Sequence, residues 1–196
     1  MDVVSKPDRR KRAARGDSLP SEAPSERVWI EGGLELLRDG GHSAVKLHAL
    51  ATHVGLTTGS FYHHFGGMAD YLERLAQAFG DDELLAVLRR SQHDDPQEQL
   101  ERYWRLHREL RGDELASAMY AWARSYAPAA RSVAVAEERV AAFLAETFQR
   151  LGSDRLTARA QAALLLSAGA ARGAGSVALA DQRLRQRMVE IVVAAR

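Results

Sequence analysis

An all-α fold is predicted for this chain by three observations. From Ser25 almost to the end, apolar residues recur at helical spacing. The breaks between these segments carry Gly, Pro or Asp, the residues that stop or start helices. No run of alternating β-branched residues makes a convincing strand, and no internal repeat is visible.

Residues 1–24 read as a disordered tail, because Pro7, Pro20 and Pro24 interrupt any helix and large apolar residues are few. The run Arg9-Arg10-Lys11-Arg12-Ala13-Ala14-Arg15 makes that tail basic; alone, such a run is either a solvated leader or an arm for a polyanion. The first helix carries Val28, Trp29, Gly32, Leu36 and Leu37 at helical spacing and stops at Asp39-Gly40-Gly41. A short helix follows over about 46–53, with Leu47, Leu50, Ala51 and Val54 on one face, and Gly55 breaks it. A second short helix runs over about 58–64, and a further one over about 68–79 after Gly66-Gly67. Longer helices are expected over about 81–92, 96–110, 113–126, 129–151, 154–175 and 181–194. Asp94-Asp95-Pro96, Gly112-Asp113, Pro128, Gly152-Ser153-Asp154 and Gly175 separate them.

The 196 residues are 46% apolar and 27% charged, enough to build a real core in one large or two small domains. The absence of cysteine removes disulfides, thiolate metal sites and thiol chemistry, and fits a reducing cytoplasm. No apolar run of about 18 residues exists, so no membrane span is expected. The polar N-terminus lacks the apolar segment of a signal peptide. No nucleophile elbow or Gly-rich phosphate loop is present, so no enzyme activity and no cofactor is expected. Net charge is only +1, so the chain as a whole is no polycation.

The informative stretch is Val45 to Phe65. It reads as two short helices joined by a tight turn. Gly55 can take the left-handed conformation that ends the first, and small Ala51 lets the second cross closely. Leu56 would plug the turn into the core. Thr57 is a good N-cap for the backbone N–H of Ser60. Phe61 and Phe65 lie four apart and point inward, which leaves Thr58, Gly59, Ser60, Tyr62 and His63 outward. Hydroxyls, an imidazole and an approachable backbone suit a DNA major groove, and two short helices with a tight turn are helix-turn-helix geometry.

The segment Gly59-Ser60-Phe61-Tyr62-His63-His64-Phe65, preceded by Leu50-Ala51 and Gly55-Leu56-Thr57, resembles the signature of the tetracycline-repressor (TetR) family. The likeness extends over about 25–80, with Trp29, Leu36, Gly40 and Tyr71-Leu72. A softer likeness continues through Ala121-Trp122-Ala123-Arg124, Pro128, Val133, Arg139 and Leu151-Gly152. The resemblance implies an N-terminal three-helix helix-turn-helix DNA-binding domain, 25–80, and a C-terminal helical ligand-binding and dimerisation domain, 81–196. By position it implies that Lys46, His48, Thr58, Gly59, Ser60, Tyr62, His63 and His64 face DNA. Tyr62 and His64 would bind phosphate; Thr58, Ser60 and His63 would lie nearest the base edges. Two departures stand out: Met68 occupies a position where the family has a phosphate-clamping Lys, and Thr58 one where Lys or Arg is common. Each missing cation should flatten the salt dependence of binding by about one phosphate.

His48, His53, His63 and His64 crowd one region, yet no carboxylate or thiol joins them at ligand spacing, so no metal is expected. Gly169 and Gly173 mark close helix packing, and the Ala- and Gly-rich helix over 154–175 is expected to form a dimer seam with the helix over 129–151. A twofold dimer would set two recognition helices about 34–36 Å apart on a palindromic double-stranded operator. A small-molecule pocket is expected among Trp104, His107, Met119, Trp122 and Phe143, with His107 and Arg111 as polar contacts. Trp104 with His107, and Met119 with Trp122, are spaced three apart and could converge on one interior; the alternative is a filled core. The helix over about 68–79 would couple the two domains. The expected function is therefore a sequence-specific repressor released by a small hydrophobic or aromatic ligand. An activator, a ligand-independent regulator and a helical binding protein that has lost DNA binding are the alternatives.

Overall fold

In a computed structural model of the protein, residues 26–80, 84–173, 190, 191 and 194 are described. The expected basic tail and most of the expected helix over 181–194 lie outside these residues. Among the described residues there are nine α-helices and no strand. They are α1 (Glu26–Gly40), α2 (Leu47–Val54), α3 (Thr58–His64), α4 (Met68–Ala78), α5 (Leu84–Ser91), α6 (Pro96–Glu109), α7 (Gly112–Ala123), α8 (Ala127–Arg150) and α9 (Arg155–Gly173). A 3-10 turn, His42–Ala44, which the sequence did not announce, links α1 to α2.

Local chemistry explains the boundaries. The Asp95 carboxylate accepts the Gln97 N–H at 2.8 Å and Pro96 opens α6, where its missing N–H costs nothing. Pro128 likewise sits in the first turn of α8. Asp154 accepts the backbone N–H of Leu156 at 2.8 Å and of Thr157 at 3.1 Å, capping α9.

Two apolar clusters form the interior. The first holds Trp29, Leu34 and Leu37 of α1, Leu50 and Ala51 of α2, Phe61 and Phe65 around α3, and Tyr71, Leu75 and Ala76 of α4. It does not stop at the end of α4: Leu115, Met119 and Trp122 of α7 and Ala129 and Val133 of α8 belong to it. The second cluster joins α5, α6, the later part of α8 and α9 through Val87, Leu100, Tyr103, Phe143, Phe148 and Ala162. With 24 residues, α8 is about 36 Å long and supplies side chains to both. Each fully buried large apolar side chain contributes about 1.5–3 kcal/mol.

Two adjacent glycines set how closely the first helices approach. A Cβ on Gly32 would strike Cγ1 of Val54 in α2, and one on Gly33 would strike the Tyr71 hydroxyl of α4. The periodicity pointed to Gly32 but not to Gly33 or Leu34, both buried. Val28, expected on the apolar stripe, is exposed instead.

Polar links tie the first four helices to the rest. Arg111 donates to Asp39 at the end of α1 at 2.8 Å, and Arg139 of α8 donates to the Gly80 carbonyl at 2.6 Å. Arg131 lies 3.6 Å from Glu73. Arg111 is the one non-glycine residue among those described with a positive φ, at 50°, and it forms the corner between α6 and α7.

Candidate nucleic-acid interface

The α2–α3 unit is built by short-range chemistry. Gly55 ends α2 at φ 70° in the left-handed region, and its N–H points back to the Ala51 and Thr52 carbonyls. Leu56 N–H then donates to the Ala51 carbonyl at 3.0 Å, and the Leu56 side chain packs against the first cluster. The Thr57 hydroxyl accepts Ser60 N–H at 3.2 Å, closing the first turn of α3.

The inner face of α3 is anchored by two rings. Phe61 is fully buried and meets Trp29 edge-on, with centroids 5.4 Å apart. Phe65, at the end of α3, meets Tyr71 edge-on at 4.9 Å. Tyr71 in turn donates its hydroxyl to the Trp29 carbonyl at 2.8 Å, and burial pushes its phenol well above the ordinary range. One side of the short helix is thereby fixed to α1 and α4.

The opposite face is open. Thr58, Gly59 and His63 are exposed and Tyr62 is 59% exposed, although its ring is the kind usually buried. Ser60 and His64 are half-buried at the edges of that face. Lys46 stands at the N-cap of α2 and His48 in its first turn, both exposed. Exposed and edge residues together present hydroxyl, imidazole, phenol and ammonium groups, the donors that phosphate oxygens and base edges accept.

His53 is a different matter. Its Nε2 lies 2.7 Å from the Glu35 carboxylate of α1, so it ties α2 to α1. Among the described residues no three His, Asp or Glu side chains gather in a metal-binding group. Met68 is half-buried against the first cluster.

Sequence reasoning missed a carboxylate that shapes this corner. Asp70 accepts the Gly66 N–H at 2.8 Å, and this bond, with help from Arg74, holds its carboxyl below the usual range. Arg74 meets Asp70 at 3.2 Å and Glu26 at 2.9 and 3.0 Å. The i, i+4 spacing of Asp70 and Arg74 was a readable signal; the partnership with Glu26, 48 positions away, was not.

The five residues expected to line one small-molecule interior divide between two. Trp104, His107 and Phe143 gather around Tyr103, at centroid distances of 4.9, 5.7 and 5.5 Å. Met119 and Trp122 instead belong to the first cluster, 0% and 3% exposed, under α1. Helical spacing correctly put each pair on one face, but the faces look toward different cores. Trp122 stacks on Tyr126 at 4.9 Å and lies parallel to the His42 ring at 6.4 Å. Arg111, expected to orient a ligand, is engaged with Asp39.

A buried three-helix core that holds a short polar helix outward defines a helix-turn-helix DNA-binding domain. Residues 30–75 match the family described as bacterial regulatory proteins, tetR family. The whole helical arrangement is similar to solved structures of transcriptional regulators. One from Legionella pneumophila, a TetR regulator, superposes with a TM-score of 0.72 at 14% identity, over 88% of this chain and 97% of its own. Another from Rhodococcus sp. Rha1 gives 0.67 at 20% identity, over 87% and 94%. A third, described as a putative transcriptional regulator of Streptomyces coelicolor A3(2), gives 0.58 at 20%, over 86% and 97%. No curated protein matches the chain. By this match, residues 30–75 form a DNA-binding domain of the kind found in the tetR family of bacterial regulatory proteins. No helix among the described residues is long and apolar enough to cross a membrane.

Proposed function

We propose that the protein is a cytoplasmic repressor that grips a palindromic operator as a homodimer and is released by a small hydrophobic or aromatic molecule. The observation that carries the DNA reading is the division of α3: Phe61 and Phe65 buried at 0% and 2%, Tyr62 between them 59% exposed. The proposed contacts are Lys46, His48, Thr58, Gly59, Ser60, Tyr62, His63 and His64. Tyr62→Ala and Ser60→Ala should each weaken binding in a band-shift assay with upstream promoter DNA. A lost hydrogen bond to a charged phosphate amounts to about 1.5 kcal/mol, roughly tenfold. Unchanged affinity with intact circular dichroism would refute the assignment.

Dimerisation is supported by the outer face of α9. Leu156 and Leu164 are 77% and 60% exposed, with small Ala160 and Ala163 exposed beside them at helical spacing. A stripe of that kind is what a close four-helix seam buries. Leu164→Glu should then yield monomers by light scattering, whereas a wild-type monomer at micromolar concentration refutes the seam.

The effector site is proposed at Trp104, His107 and Phe143, around Tyr103. Support comes from the Trp104 indole N–H, which is buried without a hydrogen-bond partner, since such a donor gains most from a ligand acceptor. Saturable quenching of Trp fluorescence that Trp104→Phe diminishes, together with release from DNA, tests it. A response carried by Trp122 would place the site elsewhere. The α4 helix, and α7 seated under α1, are the proposed coupling elements.

A further inference from the structure

Arg74 touches more of the domain than any surface cation needs to. It projects from α4, and its Nη1 lies 2.9 and 3.0 Å from the two carboxylate oxygens of Glu26, in the first turn of α1. Its Nε lies 3.2 Å from one oxygen of Asp70, whose other oxygen holds the Gly66 N–H at 2.8 Å. Its guanidinium carbon stands 5.6 Å from the centre of the Phe65 ring. One planar cation therefore meets the start of α1, the first turn of α4 and the residue that ends α3.

The recognition helix needs such a hold. It has seven residues, too few to be stable alone, and its inner face is anchored through Phe61 and Phe65. Phe61 is locked among Trp29 and Tyr71; Phe65 also packs on Tyr71, but from the corner where the chain turns at Gly66-Gly67 toward α4. A shift of Phe65 would swing Tyr62, His63 and His64 together. We propose that Arg74 is a positioning residue for DNA binding: bridging Glu26 and Asp70 and lying over Phe65, it fixes the attitude in which α3 meets the duplex. The proposal rests on the DNA-binding reading above.

Two other roles are open to a half-exposed arginine. An isolated surface ion pair contributes little, but here two carboxylates and a ring share one guanidinium, the connected arrangement in which ion pairs matter. A phosphate contact is the second, and it makes opposite predictions. The probes are a duplex enriched by the wild-type protein from a random-sequence library and an unselected random duplex. Arg74→Gln should weaken the enriched duplex about five- to tenfold and the random duplex less, with the salt slope of binding unchanged. Arg74→Lys keeps the charge but loses the fork, and should fall short of wild type. Glu26→Gln gives the sharpest sign: removing an acid strengthens DNA binding by electrostatics alone, whereas loss of the clamp weakens it. It also tests the clamp if Arg74→Gln fails to fold. Circular dichroism and melting temperature should stay near wild type, and the ratio of enriched to random affinity should fall. A salt slope lower by about one in Arg74→Gln, full affinity in Arg74→Lys, or tighter binding in Glu26→Gln would overturn the proposal. Failure of the wild-type protein to enrich or bind any duplex would overturn the DNA-binding reading and the clamp with it.

Discussion

The two apolar clusters are held in different ways. The one beneath the helix-turn-helix is closed by large side chains with no exposure, Trp29, Leu37, Leu50, Phe61, Tyr71 and Leu75, and by glycines that leave no space between helices. The one between α5, α6, α8 and α9 has a polar seam beside it. Gln99, 1% exposed, donates to the Thr147 hydroxyl at 2.7 Å and accepts from His93 N–H at 3.2 Å and Arg150 at 3.0 Å. Arg150 goes on to the carbonyls of His93 and Asp94, closing the loop between α5 and α6. The first arrangement is mainly steric, with the one buried bond from the Tyr71 hydroxyl to the Trp29 carbonyl noted above, which suits the rigid surface proposed to meet a duplex. The second depends on directional bonds that each have a definite cost when unmade. It lies beside the proposed effector site.

The largest test of this contrast is Gly33→Ala. Its Cβ would overlap the Tyr71 hydroxyl, so α1 and α4 must separate; overpacking here should cost about 3 kcal/mol, read by chemical denaturation. Adding Tyr71→Phe removes the struck oxygen but also its bond to the Trp29 carbonyl, so it should recover only part of the loss. A neutral Gly33→Ala would mean that the first core is as adaptable as the second. Next comes Gln99→Leu, which removes the acceptor of the half-buried His93 N–H and the donor to the buried Thr147 hydroxyl and should cost about 2 kcal/mol of stability. Its effect on DNA affinity well below the melting temperature should be slight, because none of its partners lies in α1–α4. A large loss of affinity would show the two regions to be one functional unit. The smallest effect concerns acid. The Asp154 carboxyl is held below its ordinary value of 3.8 by the Thr157 hydroxyl first and then by the Thr157 and Leu156 amides. A carboxyl lowered in the folded state stabilises above its unfolded value and loses that contribution as pH falls through the folded one. Asp154→Ala should therefore lower the melting temperature slightly at pH 7 and converge with wild type in acid. An equal difference at all pH values would refute the cap's role.

What could be read in the sequence follows the range of the interactions. The left-handed Gly55, the Thr57 cap and the inward Phe61 and Phe65 are decided within a few residues, and all stand where the local chemistry put them. Helix positions were legible for the same reason, within a few residues. The pairing of His53 with Glu35, 18 positions away, gives no periodic signal, so His53 looked like its neighbours. Met119 and Trp122 show the limit most clearly. Three-residue spacing defines a face, but which helix covers that face is decided by α1, some 80–90 positions earlier in the chain. The Gln99 seam was invisible because a buried glutamine and a surface glutamine are the same letter.

The continuity of the first cluster through Met119 and Trp122 bears on how this protein can be taken apart. A fragment ending after α4 would carry into water the apolar surface that α7 and α8 cover, and should be poorly soluble. Grafting these first four helices onto the sensor half of another regulator would place them on a foreign floor. A working chimera must carry its own Met119 and Trp122, or equivalents of the same volume, with it. Recombination between such proteins is therefore constrained at α7, far along the chain from the residues proposed to contact DNA.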